Sequence, residues 1–504
     1  MIFEKKNIFL PEITSDTVFR KDLELEGNLP EDAPDVAHLI RVDARTGAAK
    51  ANAENGKLAV SADAVFGILY ESDYRARPAF TQTGATFTQQ TDIPVPAGEY
   101  YIKAAVRCAY LTCKLLGPRR YVIRAAMETR VTVTEVKEHS VCDPQADNGA
   151  NAFFRTAECV YTLPCRTFTE ERAFEGVAMA PSPVAAVLFT DHACEGAEYV
   201  AGEGRLTVHG EVTLKAFCES EENGFFVLPY AFDAALTVED ADISSESVFD
   251  VSLYVTGCSA SAESDEYGEM RAVRFNCTVA LSATAYEKAV EVLASDAFCG
   301  DRECETVSGR VTFDDRRGEI KREFVFEKTF DTEKTDLRSI SDVSADFSVN
   351  SAVVSEGALR VTGAYNAYYL AETDGGLIGG AFGGEFDEAI PLEPGVTATG
   401  LRVVPGEMTA RVSDGENITL RGKAYICTEL YEKRALEVLR NAESAEETLP
   451  VCAGLRFYYP QSGETAWDIA RRYHKDPAAL SAQNPAAFTP EGSLAPGTVF
   501  VAIK

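Results

Sequence analysis

The sequence predicts a mainly β protein: three repeated β-rich units, each sandwich- or barrel-like, followed by a small α+β module with the order strand, helix, helix, strand (βααβ). Three observations carry this expectation. A strand motif recurs about every 150 residues, alternating apolar and polar residues fill most of the first 450 positions, and the last forty-nine hold two helix-capping signals in succession.

The repeated motif is Gly-x-Leu-x-Val. It stands at Gly56, Leu58 and Val60, again at Gly204, Leu206 and Val208, and again at Gly357, Leu359 and Val361, so the leucines lie 148 and 153 residues apart. Asn55, Glu203 or Glu356 precedes the glycine, which is hairpin-turn chemistry leading into an alternating strand. Thirteen residues after each leucine an acid meets a hydroxyl, at Glu71-Ser72, Glu219-Ser220 and Glu372-Thr373, marking the next turn. Tyr286 to Leu293 mirrors Tyr431 to Leu439 near the ends of the second and third copies. The copies divide the chain into domains at 1–150, 151–300 and 301–450, with a terminal module at 451–504. At about 150 residues apiece, each is long enough to fold as a separate bead.

In the terminal module, Thr465 is placed to cap a helix and Asp468 to cap back, with Ile469, Ala470 and Tyr473 at helical spacing. Asp476 caps a second short helix that starts at Pro477, where a missing N–H costs nothing. Asn484-Pro485 ends that helix, and Gly497 turns the chain into a last apolar strand. Trp467, the single tryptophan, is expected to pack in the small core of this module rather than lie open as a sugar platform.

Composition narrows the function. The formal charge is −31, which argues against bare nucleic acid or an anionic membrane surface as partner. Residues 456–504 are nearly neutral at +1, leaving −32 on the body before them. Thirteen irregularly spaced cysteines, without Cys-x-x-Cys or zinc spacing, suggest a reducing compartment. No apolar run approaches a membrane span and no signal peptide is read at the start, so a cytoplasmic location is expected. His38, His139, His192, His209 and His474 stand apart, and no acid cluster has calcium-loop spacing, so neither catalytic residues, nor a metal, nor a cofactor is expected. The glycine-rich stretch 374–384 lacks the Gly-Lys-Ser/Thr of a phosphate loop and is expected to be a flexible loop.

Ser462-Gly463-Glu464-Thr465 before the first helix and Asn484-Pro485 after the second make the tail resemble the LysM module. Leu29-Pro30 through Pro34-Asp35-Val36, ahead of the first hairpin, and the run ending Ile68-Leu69-Tyr70 look like the SPOCS domain of spore-coat morphogenetic proteins from endospore-forming Firmicutes. The second and third copies depart from the Pro-Asp signature, so their likeness rests on the internal repeat.

The resemblance implies a non-enzymatic scaffold at the forespore surface in the mother-cell cytoplasm. There the LysM module would dock on a SpoIVA-like coat-basement ATPase, while the β domains would meet other coat proteins. It also implies an alternative, a LysM module that grips peptidoglycan or its precursors through N-acetylglucosamine. For either partner the candidate binding residues are Ser462, Gly463, Glu464, Thr465, Asn484, Pro485 and Ala486, in the loops that flank the LysM sugar groove. Ser462, Gly463 and Asn484 could equally serve only as turn and cap.

Overall fold

The fold is described from a computed structural model covering residues 2–73, 77–147, 151–221, 224–332, 336–413, 416–450 and 454–503. Residues 150 and 451, where two of the sequence-based divisions fall, lie outside these. The protein is mainly β, built from separate antiparallel sheets with two short helices near the C-terminus.

The first unit holds β1 (Lys5–Asn28), β2 (Val36–Thr46), β3 (Lys50–Glu54), β4 (Lys57–Ser72), β5 (Pro78–Pro94), β6 (Glu99–Leu115) and β7 (Arg120–Cys142). One sheet has the order β1-β7-β6, and in the other β4 lies between β5 on one side and β2 and β3 on the other. The second unit holds β8 (Ala152–Met179), β9 (Val184–Gly202), β10 (Arg205–Ser220), β11 (Phe225–Glu239), β12 (Val248–Glu263) and β13 (Ala272–Cys299), in sheets β12-β13-β8 and β11-β10-β9. The third holds β14 (Arg302–Asp331), β15 (Leu337–Ser355), β16 (Ala358–Thr373), β17 (Gly376–Pro391), β18 (Val396–Ser413) and β19 (Asn417–Thr448), in sheets β14-β19-β18 and β15-β16-β17.

The repeated Leu and Val residues sit on the central strands β4, β10 and β16, and all six are buried. The two-residue period of a strand turns this face toward the partner sheet, as a two-layer packing requires. In the first unit Leu58, Val60 and Phe66 of β4 pack on Ile123, Met127 and Val131 of β7, and the other units repeat the pairing with β13 and β19. The turns before β4 and β16 put two successive residues at positive φ: Asn55 at 51° and Gly56 at 74°, Glu356 at 51° and Gly357 at 75°. That is the twist a two-residue hairpin needs.

Two expectations change. Residues 374–384 are not a flexible loop: beyond the turn, β17 pairs with β16 along its whole length. The glycines admit close packing instead, because a Cβ at Gly379 would fall 2.0 Å from the Ile40 carbonyl oxygen and one at Gly384 would fall 2.2 Å from the Tyr365 ring. Nor are the units separate beads. Their first and last strands run on past the sandwiches and meet one another. There Ile8, Leu10 and Val141 of the first unit pack with Cys159, Tyr161 and Leu293 of the second and with Val311, Phe313 and Val438 of the third. A second shared cluster joins Leu69, Phe217 and Leu370, each eleven residues after the repeated leucine.

Ion pairs tie the same three-way junctions. The Asp342 carboxylate of the third unit accepts from Arg41 of the first at 2.9 Å and from Lys215 of the second at 2.7 Å. Lys103 of the first unit meets Asp250 of the second at 2.6 Å and Glu429 of the third, while the Arg316 guanidinium stacks 4.4 Å from the Tyr286 ring. The residues ahead of β1 close the set, since the Phe3 N–H donates to the Ala442 carbonyl of the third unit at 3.0 Å.

Phe313→Ala should therefore destabilise all three units together, by about 3–5 kcal/mol. Urea unfolding followed by far-ultraviolet circular dichroism should show one shifted transition, with separate transitions as the contrary result. Burial alone would push the Asp250 carboxyl up, but Lys103, Arg402 and Arg316 more than reverse this and hold it below the usual carboxylate range. A depressed folded-state value contributes stability above the unfolded value, and that contribution is lost as pH falls through the folded one. Asp250→Asn should thus cost roughly 1–3 kcal/mol at neutral pH. Its deficit relative to the parent should narrow below about pH 4, as checked by urea unfolding across pH.

Candidate functional site

The tail consists of β20 (Arg456–Tyr458), α1 (Ala466–Tyr473), α2 (Pro477–Gln483) and β21 (Val501–Ile503), and β20 pairs antiparallel with β21. Its helices start as their capping residues dictate. The Thr465 hydroxyl accepts from the Asp468 N–H, and the Asp468 carboxylate accepts from the Thr465 N–H at 2.9 Å, a complete capping box. Asp476 accepts from the Ala478 N–H at 2.8 Å at the head of α2. Ile469, Ala470, Leu480, Val501 and Ile503 form the small core between helices and strands.

The candidate residues fall on two loops, Ser462-Gly463-Glu464-Thr465 leading into α1 and Asn484-Pro485-Ala486 leaving α2. The chain between 488 and 494 joins them, as Thr465 bridges to Ser493 and Phe488 to Leu494. Three of the seven are engaged inside the module. Besides the capping Thr465, the Asn484 amide donates to the carbonyls of Leu480 at 2.9 Å and Ala502 at 2.8 Å and accepts from the Ala502 N–H at 2.8 Å, stapling the end of α2 to β21. The Glu464 carboxylate accepts from the Tyr458 hydroxyl at 2.9 Å and the Gln461 N–H at 2.8 Å and pairs with Arg472 at 2.8 Å. Ser462, Gly463, Pro485 and Ala486 are exposed, and Gly463 takes φ of 89° to form the turn. What the loops offer a ligand is thus backbone and one hydroxyl.

Two features lay outside the reading of the sequence. One is a strip of exposed apolar side chains on β20 and the chain flanking β20 and β21: Phe457 and Phe500 with their rings 5.1 Å apart, Tyr459 and Val499. The alternation of Phe457 and Tyr459 about the half-buried Tyr458 signals it, but only once the helices are known to cover the Tyr458 side. The other is a dock on the second unit. Trp467 packs edge-on against Phe298, ring centroids 4.9 Å apart, and its indole N–H donates to Asp296 at 2.9 Å. Arg471 reaches the same carboxylate at 2.6 Å, and His474 Nδ1 lies 2.9 Å from the Cys299 carbonyl oxygen. Trp467 does pack rather than lie open, yet its main ring partner belongs to the body and not to the module.

Elsewhere, His38 faces Glu71 at 3.5 Å on exposed surface of β2, and the half-buried His209 faces Asp233 at 3.4 Å between β10 and β11. No helix among the described residues is long and apolar enough to cross a membrane. Comparison with family models, curated proteins and solved structures found no match for this chain.

Asn484→Ala should loosen the tail selectively, since buried partners left unsatisfied cost roughly 1–3 kcal/mol each. Trp467 fluorescence should melt early while circular dichroism of the body holds. Ser462→Ala should leave both within about 0.5 kcal/mol, and an early melt in that variant would contradict the assignment of roles.

Proposed function

We propose that this protein is a non-enzymatic assembly scaffold of the endospore coat, a SPOCS-type body carrying a LysM-type anchor. The anchor docks on the SpoIVA-like ATPase of the coat basement, and the three β units present their surfaces to further coat proteins from the mother-cell side. The observation that carries the protein-docking form of this reading is the use of Glu464 and Asn484 for internal bonding. A sugar-binding groove orients its ligand with a few convergent polar groups, and here two of the polar side-chain candidates hold the module together instead, leaving backbone and the Ser462 hydroxyl. The exposed strip of Phe457, Tyr459, Val499 and Phe500 offers apolar and aromatic surface of the kind protein interfaces enrich. The strongly acidic body keeps the remainder of the surface soluble and repels anionic polymers.

The test uses the full chain. Purified protein should bind the forespore ATPase and fail to co-sediment with peptidoglycan sacculi, and a fluorescent fusion should encircle the forespore. Phe457→Ser with Phe500→Ser should weaken ATPase binding at least about tenfold, on the scale of 1.4 kcal/mol or more, while the unfolding transition of the body stays put. Sedimentation with sacculi in place of ATPase binding would select the glycan reading and remove the scaffold one.

A further inference from the structure

The junction between the second and third units gathers three cysteines at one apolar cluster, Cys142, Cys299 and Cys304. Cys299 ends β13 and Cys304 lies near the start of β14, with the bend at Gly300 and Asp301 between them. That bend is pinned on both sides: the Gly300 N–H donates to the Asn151 carbonyl at 2.8 Å, and the Leu449 N–H donates to the Asp301 carbonyl at 2.7 Å. Cys299 lies in one small apolar cluster with Phe3, Cys142, Ala297 and Ala442, and Cys304 packs against that cluster from the far side of the bend. Cys299 is 4% exposed, whereas Cys304 is only half-buried and so open to a small reagent.

The same short segment is the platform on which the tail sits. The Cys299 carbonyl faces His474, Glu303 pairs with His474 at 3.5 Å, Thr306 accepts from Arg471 at 3.3 Å, and Asp296 holds Trp467. A change of bonding between residues 299 and 304 must therefore be felt at the tail's attachment.

We propose that Cys299 and Cys304 form a redox-sensitive dithiol which closes to a disulfide and thereby adjusts how the tail is held on the body. The oxidant is a low-molecular-weight disulfide of the glutathione class. One protein thiolate attacks a sulfur of that disulfide, forming a mixed disulfide and expelling one small thiol. The second protein thiolate then attacks the protein-side sulfur, closing the Cys299–Cys304 bond and expelling the second. Two electrons pass from the protein to the reagent, and the two thiol protons end on the two small thiols. The pairing also differentiates the two sulfurs. The interaction with Cys304 holds the Cys299 thiol below its ordinary range despite burial, which favours thiolate there, and the same interaction pushes the Cys304 thiol up.

The experiment equilibrates the full-length protein in glutathione redox buffers, then alkylates it and digests it with trypsin. Arg302 lies between the two cysteines, so a disulfide holds together two peptides that reduction would part. The expected result is that linked pair in oxidising buffer, its loss on reduction, and its absence in Cys304→Ser. Trp467 is the sole tryptophan and sits against Phe298, so its emission should shift on oxidation of the parent protein and stay constant in Cys304→Ser. Finding Cys299 and Cys304 both alkylated, carrying separate glutathione adducts, or linked instead to the neighbouring Cys142 would overturn the dithiol. A closed disulfide with unchanged Trp467 emission would overturn its effect on the tail.

Discussion

The structure depends on apolar burial that no unit can complete alone. Each sandwich has its own core, but the extended ends of its first and last strands expose one apolar face that finds cover only against the corresponding ends of the other two units. Phe313 and Tyr161 meet edge-on with centroids 5.6 Å apart, and Ile8 and Val438 are wholly buried between them and their neighbours. Long two-stranded ribbons are marginal in water without a hydrophobic face to bury. Here three such ribbons supply that face to one another, so the repeat functions as an intramolecular trimer joined by its own linkers.

The ionic junctions follow from this arrangement. Once three units converge, charged residues near the convergence lose water and must be matched across unit boundaries. Asp342 takes a cation from each of the other two units, and Lys103 takes an anion from each. Their net contribution to stability is small beside the burial. A unit docked in the wrong order would leave Asp342 buried and Lys103 half-buried without these partners, a penalty against misdocking. The tail repeats the logic on a smaller scale. It rests an aromatic ring on Phe298 and satisfies the indole and a guanidinium with one carboxylate, Asp296.

Much of this was legible in the residues themselves. Leu58, Leu206 and Leu359 mark equivalent central strands because an alternating strand beside a turn glycine has few other places to go. Thr465 with Asp468, and Asp476 with Pro477, mark helix starts because orphan backbone donors demand caps. Other features were hidden for a physical reason. An alternating strand reveals that one face is buried, not what buries it, so the meeting of the three ribbons could not be read from Ile8 or Val311. The glycines of β17 looked like a loop since their role is to leave room for Tyr365 and for the Ile40 backbone, which only the fold brings near. Asn484 was legible as a helix terminator and as a ligand candidate alike, whereas its bonds to Ala502 depend on a strand eighteen residues away that only the fold brings beside it.

The most direct test of the shared junction is native-state amide hydrogen exchange at graded sub-denaturing urea, resolved on the buried strand ends at Ile8, Cys159 and Val311. If the three ends are one cooperative unit, their amides should open together, with one free energy equal to that of global unfolding. Exchange of any one end at a distinctly lower free energy, with the other two still protected, would contradict the account.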